Sequence, residues 1–165
     1  MLSVGKSGDW AKAKLLSTTL KSTMKLSADP GFSSLALKGE SLMKRYIRKQ
    51  PTSWPALSTK YKQGKLRQGK SDKMLIRTSS MLLSIKGFSA NSNAYIGVKR
   101  NAENDEGEKL ANIAAIMEKG SKVRNIPARP FIEPVYKHLI RRIEKDGLFH
   151  KYLKMEMERK YGIKL

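Results

Sequence analysis

Positive charge is the feature that most constrains this chain, because any fold must keep a large excess of cations out of its core. The 165 residues include 34 Lys and Arg against 14 Asp and Glu, a formal net charge of +20. Such a field attracts polyanions, and DNA is the usual one. A second interpretation stays open, in which the charge is a solvated surface that keeps the protein soluble.

The excess is concentrated in one stretch. No acid occurs between Glu40 and Asp72, whereas nine basic residues do, and from residue 101 onward 14 basic residues stand against 10 acidic ones. A block of one sign favours a polyanion or an acidic protein as its neighbour. The candidate contact residues in this block are Lys60, Lys62, Lys65, Arg67 and Lys70.

Composition excludes several classes of protein. Apolar residues make up 39% of the chain, enough for one domain with a modest core. The absence of cysteine excludes disulfides and thiolate zinc sites. No apolar run approaches the length of a membrane span, and the first residues lack the apolar core of a signal peptide. We therefore expect a soluble protein without membrane contacts, made in the cytoplasm.

Hydrophobic periodicity predicts an α+β fold in a single domain, residues 1–165, with a small antiparallel β-sheet packed against helices. In the helical region 1–50, Asp9 caps a first helix that ends near Ala28, and Asp29-Pro30-Gly31 breaks the chain. A second helix follows over residues 33–49. Its apolar face consists of Leu35, Leu42, Met43, Tyr46 and Ile47.

Three further regions follow. Residues 51–73 are predicted to form a long basic loop or extended arm. In the α+β core, residues 74–134, we expect a helix, or a helix leading into a strand, over 74–85. Next come a hairpin around residues 90–93, an acidic loop over 101–108, a helix closed by Gly120, and an extended stretch over 126–134. Residues 135–165 form a long C-terminal helix, which Gly147 can interrupt.

One short motif matches a phosphate-binding loop. Residues 64–71, GKLRQGKS, fit G-x-x-x-x-G-K-[ST]. That loop requires a buried strand before it and a helix directly after it. The preceding residues 58–63 are polar or lysine-rich apart from one tyrosine, so a chance match is the better interpretation.

No catalytic constellation is visible in the sequence. His138 and His150 are twelve positions apart, with no carboxylate at metal-ligand spacing that pairs them, and surface or half-buried helix positions are the simpler interpretation. The acids of residues 103–108 have no apolar surroundings that could raise a pKa. We predict no enzymatic activity, no catalytic residues, no metal and no cofactor. Arg129, set between two prolines, is predicted either to be solvated or to be held rigidly towards a carboxylate, within the subunit or across an interface.

Five sequence blocks, spread from residue 54 to about 143, occur in an order that is informative as a set. Trp54-Pro55-Ala56-Leu57-Ser58 comes first, followed by lysines. Residues 75–85, LIRTSSMLLSI, are similar to L-x-x-T-G-x-L-x-x-S-I, and IGV at 96–98 is similar to V-G-x. Residues 113–120, IAAIMEKG, resemble Y-A-x-I-H-E-x-G. The most specific block, IPARPF at 126–131, matches I-P-A-R-P-F.

In this order the blocks resemble phage virion-morphogenesis proteins of the tail-completion and neck type. Ser79 replaces a glycine of the pattern, Met81 a leucine, Ile113 a tyrosine and Met117 a histidine, which indicates a divergent member. The resemblance implies an α+β structural subunit that joins head and tail, of the tail-completion or tail-terminator type, and that forms a ring around the DNA channel. It also implies a set of interface or structural motif residues: Trp54, Leu57, Pro127, Arg129, Pro130 and Phe131.

The resemblance also implies partners and a location. We expect a homo-oligomeric ring, a hexamer by preference with a dodecamer as the alternative, in contact with other neck, portal-side and tail proteins. Contact with packaged DNA would be non-specific. The protein would reside at the neck or tail end of the virion and in the host cytoplasm during assembly. The charge alone supports an alternative, a DNA-binding protein without sequence specificity.

Overall fold

A computed structural model describes the backbone of residues 10–162 and the side chains of residues 29–159. In this range the α+β prediction is confirmed, with six helices and one small antiparallel sheet. The elements are α1 (Trp10–Lys49), α2 (Thr59–Arg67), α3 (Ser80–Ser84), β1 (Ile85–Ala90), β2 (Asn93–Val98), α4 (Leu110–Lys119), α5 (Ile132–Asp146) and α6 (Leu148–Tyr161).

Helix α1 runs without interruption through Pro30, so the prediction of two N-terminal helices is wrong. An interior proline removes one backbone hydrogen bond and costs about 3 kcal/mol. Packing against α6 offsets that cost. The rings of Phe32 and Phe149 lie 4.7 Å apart between centroids, and a Cβ on Gly31 would lie 3.5 Å from the Phe149 ring. The predicted Asp9 cap lies outside the described residues.

The predicted hairpin is confirmed. Strands β1 and β2 pair from Ile85↔Val98 to Ala90↔Asn93, and Asn91 and Ser92 form the turn with φ of 49° and 55°. Two positive φ values in a two-residue turn match the twist of paired strands. The sheet lies directly on α1, since a Cβ on Gly87 would clash with the Ala36 carbonyl oxygen.

Gly39 allows α1 to lie close to β2, just as Gly87 allows β1 to lie close to α1. A Cβ there would overlap the side chain of Ile96, so a position that weakens the isolated helix is required by its packing. The predicted apolar face of residues 33–49 is confirmed as core, with Leu35, Leu42, Met43 and Ile47 buried and Tyr46 half-buried.

Residues 51–73 are not a continuous loop or extended arm, because they contain α2. Ser58 caps this helix by accepting a hydrogen bond from the Tyr61 N–H at 3.3 Å. Lysine, glutamine, leucine and arginine are good helix formers, and the density of charge concealed that propensity. In residues 74–85 the helix-then-strand alternative is confirmed, although α3 covers just five residues.

The C-terminal third agrees with the prediction except at one boundary. Helix α4 ends at Gly120 with φ of 76°, and Gly147, with φ of 57°, separates α5 from α6. The stretch over residues 126–134 is extended only up to Phe131, because α5 begins at Ile132. Pro134 fits in that first turn, where backbone N–H groups have no partner within the helix. Within residues 10–162, no helix is long and apolar enough to cross a membrane.

Candidate functional site

The first and last blocks of the sequence resemblance meet in the fold. The Trp54 ring packs edge-on against Tyr46 of α1, with centroids 5.9 Å apart, and Trp54 Nε1 donates to the Pro130 carbonyl at 2.9 Å. In the opposite direction, Arg129 Nε donates to the Pro55 carbonyl at 2.9 Å and Nη2 to the Ala56 carbonyl at 3.2 Å. We call this arrangement, residues 54–56 and 129–131, the motif junction.

Two interpretations of Arg129 are wrong: a solvated side chain and a contact with a carboxylate of the same subunit. The exposed fraction of Arg129 is 6%, so it is not solvated, and its hydrogen bonds in the described chain go to main-chain carbonyls and not to a carboxylate. A contact with a carboxylate across an interface stays a prediction. Burial lowers the pKa of Arg129, and the nearby Tyr61 opposes that effect. Because an arginine remains protonated in proteins, the junction encloses a cation.

The other predicted motif residues lie around the junction in different environments. Phe131 is fully buried, and its aromatic ring belongs to the core. Leu57 and Pro130 are half-buried, whereas Pro127 is exposed. The structure thus brings the six residues to one region of the molecule while giving them different degrees of burial.

Glu118 is a further residue of this site, and sequence reasoning did not single it out. Its Oε2 accepts hydrogen bonds from the N–H groups of Phe131 and Ile132 at 2.8 and 2.9 Å, and its Oε1 accepts from Glu133 at 2.8 Å. The residue at the N-cap of α5 is Phe131, which has no side-chain acceptor. A carboxylate from α4 therefore caps α5. The missing local cap before α5 was the signal that could have revealed it.

The predicted basic contact residues differ in their exposure to solvent. Lys60, Lys62 and Arg67 are exposed on α2, and Lys70 is half-buried just after it. Lys62 forms an ion pair with Asp72 at 3.3 Å, in which both side chains are about half exposed. These cations are available to a partner, because exposed pairs of this kind are weak.

Lys65 is the exception, and its predicted role as a contact residue is wrong. Its exposed fraction is 5%, and Nζ donates to the carbonyls of Lys73 and Ile76 at 2.7 and 3.0 Å. Burial lowers the pKa of Lys65, although Asp72 acts in the opposite direction. Lys65 ties α2 to the chain that leads into α3, and a count of charges along the sequence could not separate it from its exposed neighbours.

The phosphate-loop match has the wrong geometry. Gly64 and Lys65 lie inside α2, and Gly69 adopts φ of 66° after the helix ends. No strand precedes the motif in the described chain, and no helix begins after Ser71 until α3. The backbone N–H groups therefore cannot form the cradle that a strand-loop-helix unit provides.

A groove with a volume of about 710 Å³ opens between α2, the segment before α3, and α4. Leu75, Ile76, Met81, Ile113 and Met117 supply apolar surface along it, and Lys65 and Arg129 also line it. No residue of α1, α5 or α6 contributes to its walls. The sequence did not predict this groove, because its walls come from four separate stretches.

An ion pair bridges the groove's rim. Arg77 Nη2 and Glu106 Oε1 lie 2.7 Å apart, linking the segment before α3 to the acidic loop 101–108. Hydrogen bonding to Arg77 lowers the pKa of Glu106 and, reciprocally, raises the pKa of Arg77. Both side chains are more than a third exposed, so water screens this bridge.

The remaining titratable candidates lie in solvent. His138 and His150 are exposed, on α5 and α6 respectively. Within the described residues, no group of three or more histidines and carboxylates is arranged to hold a metal ion.

Comparison with protein-family models, with curated proteins and with solved structures finds no match to this chain.

Proposed function

We propose that this protein is a structural subunit of a tailed-phage neck, of the tail-completion or tail-terminator type, that forms a ring around the DNA channel. The observation that carries the proposal is the motif junction. The first block of the resemblance, WPALS at 54–58, and its most specific block, IPARPF at 126–131, are joined by three hydrogen bonds. Their co-occurrence in the sequence therefore has a structural reason.

A second block supports the same proposal through its backbone. Ser79 has φ of 64°, a left-handed conformation that glycine adopts without strain. It occupies the position at which the resembling pattern carries glycine. The pattern and the local geometry thus agree even where the residue departs from it.

The chemistry of the junction suits a structural role. The charged side chains at the junction and beside it bind backbone atoms. Arg129 donates to carbonyls, and Glu118 accepts from N–H groups. Such bonds fix the relative position of α4, α5 and the chain before α2. Among the described residues, neither Arg129 nor Glu118 pairs with another side chain as a catalytic acid or base would. We therefore propose a particle component rather than an enzyme.

The exposed cations of α2 fit a position beside DNA or beside an acidic neighbouring ring. DNA must slide through a neck during ejection, so sequence-independent attraction to phosphates suits the task better than base contacts. Lys60, Lys62 and Arg67 of α2, together with half-buried Lys70 just after the helix, supply that attraction, whereas buried Lys65 does not. In this proposal the protein belongs to the virion, after assembly in the host cytoplasm.

Native mass spectrometry without DNA tests the proposal. We expect a closed ring, hexameric by preference or dodecameric, formed through two different faces of each subunit. Copies of net charge +20 repel one another, and salt near 0.15 M, with a Debye length of about 8 Å, screens that repulsion. Ring formation should therefore rise with salt. Monomers at every salt concentration, also with neighbouring neck proteins present, would overturn the proposal.

A DNA-binding protein without sequence specificity is the second candidate, favoured by the exposed cations of α2. It predicts the opposite salt dependence. Six to ten phosphate contacts lose roughly 10³- to 10⁵-fold in affinity between about 50 and 200 mM salt. A monomer that binds duplex DNA tightly at low salt, and forms no ring at any salt, would identify this candidate.

A further inference from the structure

The outer face of the hairpin carries two aromatic rings that are open to solvent. Phe88 of β1 and Tyr95 of β2 are paired across the strands, and their rings stack with centroids 5.1 Å apart and planes 17° apart. Their exposed fractions are 58% and 46%, although the other face of this sheet packs on α1. A cross-strand pair adds stability to a hairpin by itself. Rings exposed to this extent also offer another molecule a flat apolar surface.

An open notch lies next to Tyr95 on the same face. Side chains alternate between the two faces of a strand, so Gly97, two positions after Tyr95, faces outward with it. A Cβ on Gly97 would meet no atom within 4 Å, so the space above this glycine is open. The residue paired with Gly97 on β1 is Lys86, which is exposed. The notch thus has a backbone floor, an aromatic ring along the strand and a cation across from it.

Lys99 brings a second cation to the notch. Its N–H donates to the Ser84 carbonyl at 2.8 Å, which extends the ladder by one pair and places Lys99 on the outer face, two positions after Gly97. Lys99 is exposed. The outward-facing positions of the hairpin include no acid; they are residues 86, 88, 90, 93, 95, 97 and 99. The face is therefore positive as well as aromatic.

The acids around the hairpin leave a net positive charge on its outer face. Glu40, at the edge of β1, already pairs with a lysine of α1, so it does not neutralise Lys86, although Lys86 helps to lower the pKa of Glu40. Asp29 lies at the other end of the hairpin, where Ser92 of the turn donates to its carboxylate at 3.0 Å. Three of the four acids in the loop 101–108 line the groove.

The chemistry of this face matches a nucleotide with an unpaired base. A base stacks on an aromatic side chain, and a phosphate binds to lysines. Duplex DNA offers its phosphates but keeps its bases stacked inside, so it cannot use the Tyr95 ring unless a base is flipped out. An acidic peptide offers carboxylates but needs an aromatic side chain of its own to cover the ring. A single strand offers planar rings and phosphates along its whole length.

We propose that the outer face of the hairpin binds single-stranded nucleic acid, with a base on the Tyr95 ring and phosphates at Lys86 and Lys99. The exposed cations of α2, by contrast, suit the phosphates of a duplex. The proposed site lies within one subunit and does not require a ring, so its test is independent of the proposed neck ring.

Fluorescence anisotropy with a labelled oligothymidylate of about twelve nucleotides tests the site. A duplex and an abasic deoxyribose-phosphate chain of the same length are the comparison ligands, because the abasic chain carries the phosphates without the bases. Tyr95→Leu removes the ring and keeps an apolar side chain. Its single-strand affinity should fall about fivefold or more, while its duplex affinity should be preserved. Tyr136→Leu, the same change at a tyrosine of α5 that is 61% exposed, is the matched control and should bind every ligand like the wild type.

Gly97→Val provides a second test, which leaves both rings in place. Its Cβ has room and valine favours strands, so the midpoint of thermal unfolding should be preserved or raised. Because the added side chain fills the notch, single-strand affinity should fall about fivefold or more, and duplex affinity should be preserved. If Tyr95→Leu does not fold, Gly97→Val decides alone.

Three results would overturn the proposal. Equal affinity of the wild type for oligothymidylate and for the abasic chain would show that charge alone binds them. Unchanged single-strand affinity in folded Gly97→Val or Tyr95→Leu would place the contact elsewhere. Polyglutamate that binds the wild type more tightly than oligothymidylate does, and binds Tyr95→Leu less tightly, would assign this face to an acidic protein.

Discussion

The motif junction and the exposed face of α2 both carry cations but hold them in opposite ways. At the junction, Arg129 is buried and donates to carbonyl oxygens, so its charge is part of the fold. On α2, Lys60 and Arg67 project into solvent, so their charge is available to another molecule. A buried and a surface charge therefore differ in what their removal affects: the first changes folding stability, the second changes binding.

Substitution of Trp54, a buried residue of the motif junction, should have the largest effect on stability. Trp54→Ala should lower the free energy of unfolding by about 3–5 kcal/mol, because it removes a buried ring and leaves a cavity. Trp54→Phe keeps most of the ring but loses the donor to Pro130, and should cost less. Urea unfolding measures both variants. Equal stability of Trp54→Ala and the wild type would show that the junction does not hold the fold.

Removal of the Glu118 carboxylate should have the next largest effect. Glu118→Ala leaves three N–H groups at the start of α5 without their acceptor, and charge-assisted hydrogen bonds are worth about 1.5–3 kcal/mol each at most. We expect a net loss of about 2 kcal/mol, since water replaces part of the cap. Glu118→Gln retains one acceptor oxygen and should fall between the two in urea unfolding.

Replacement of Ser79 by glycine, the residue that the resembling pattern carries there, should stabilise the protein. Ser79 has φ of 64°, and a left-handed conformation costs a residue other than glycine roughly 1 kcal/mol. Ser79→Gly should therefore raise the free energy of unfolding by up to about 1 kcal/mol. Ser89→Gly, in β1 where φ is that of a strand, serves as the control and should destabilise. A loss of stability in Ser79→Gly would contradict the assignment of strain.

The burial of Lys65 should make the free energy of unfolding depend on pH. Its folded-state pKa is lowered below the ordinary 10.5, so the unfolded chain holds more protons between those two values. The contribution of Lys65 to stability must then increase as pH rises towards 10.5. We expect wild type to gain stability relative to Lys65→Met as the pH rises towards 10.5. Lys62→Met, at an exposed position on the same helix, is the matched control.

Neutralisation of the exposed cations of α2, together with half-buried Lys70, should affect stability least. Replacing Lys60, Lys62, Arg67 and Lys70 by glutamine should change unfolding by at most about 0.5 kcal/mol per site. DNA retention in particles, or docking to the next ring, should decrease. The control replaces four exposed cations elsewhere, Lys122, Arg141, Lys145 and Lys151, with the same change of charge. If both sets leave particles fully infectious, the charge serves solubility alone.

Local signals predicted the elements that depend on neighbours in sequence. The hairpin turn at Asn91 and Ser92, the Gly120 helix end and the apolar face around Met43 were all recognisable, because turn geometry and periodicity are written over a few positions. The α+β class followed from these elements.

Features that depend on distant contacts were missed. Pro30 does not end α1, because α6 packs beside it, and no local pattern reports that packing. Glu118 caps a helix that begins fourteen residues later, so the usual search directly before a helix could not find it. Lys65 is buried and Lys62 is not, because Lys65 Nζ reaches the carbonyls of Lys73 and Ile76 in the chain that passes beside α2. The sequence analysis had taken this helix for part of a loop.

Glu40 closes one edge of the hairpin against further strands. The register places the Gly87 N–H on the side of β1 away from β2, where Glu40 Oε2 accepts it at 2.8 Å and Lys44 binds the same carboxylate. An open strand edge is a template for self-association, and this acid occupies part of it. Burial opposes ionisation of Glu40, but hydrogen bonds from Lys44 and Gly87 outweigh it and lower the pKa below 4.5. The stabilisation is thus complete above pH 4.5 and is lost as pH falls through the lowered pKa, so strong acid should expose this edge to other chains.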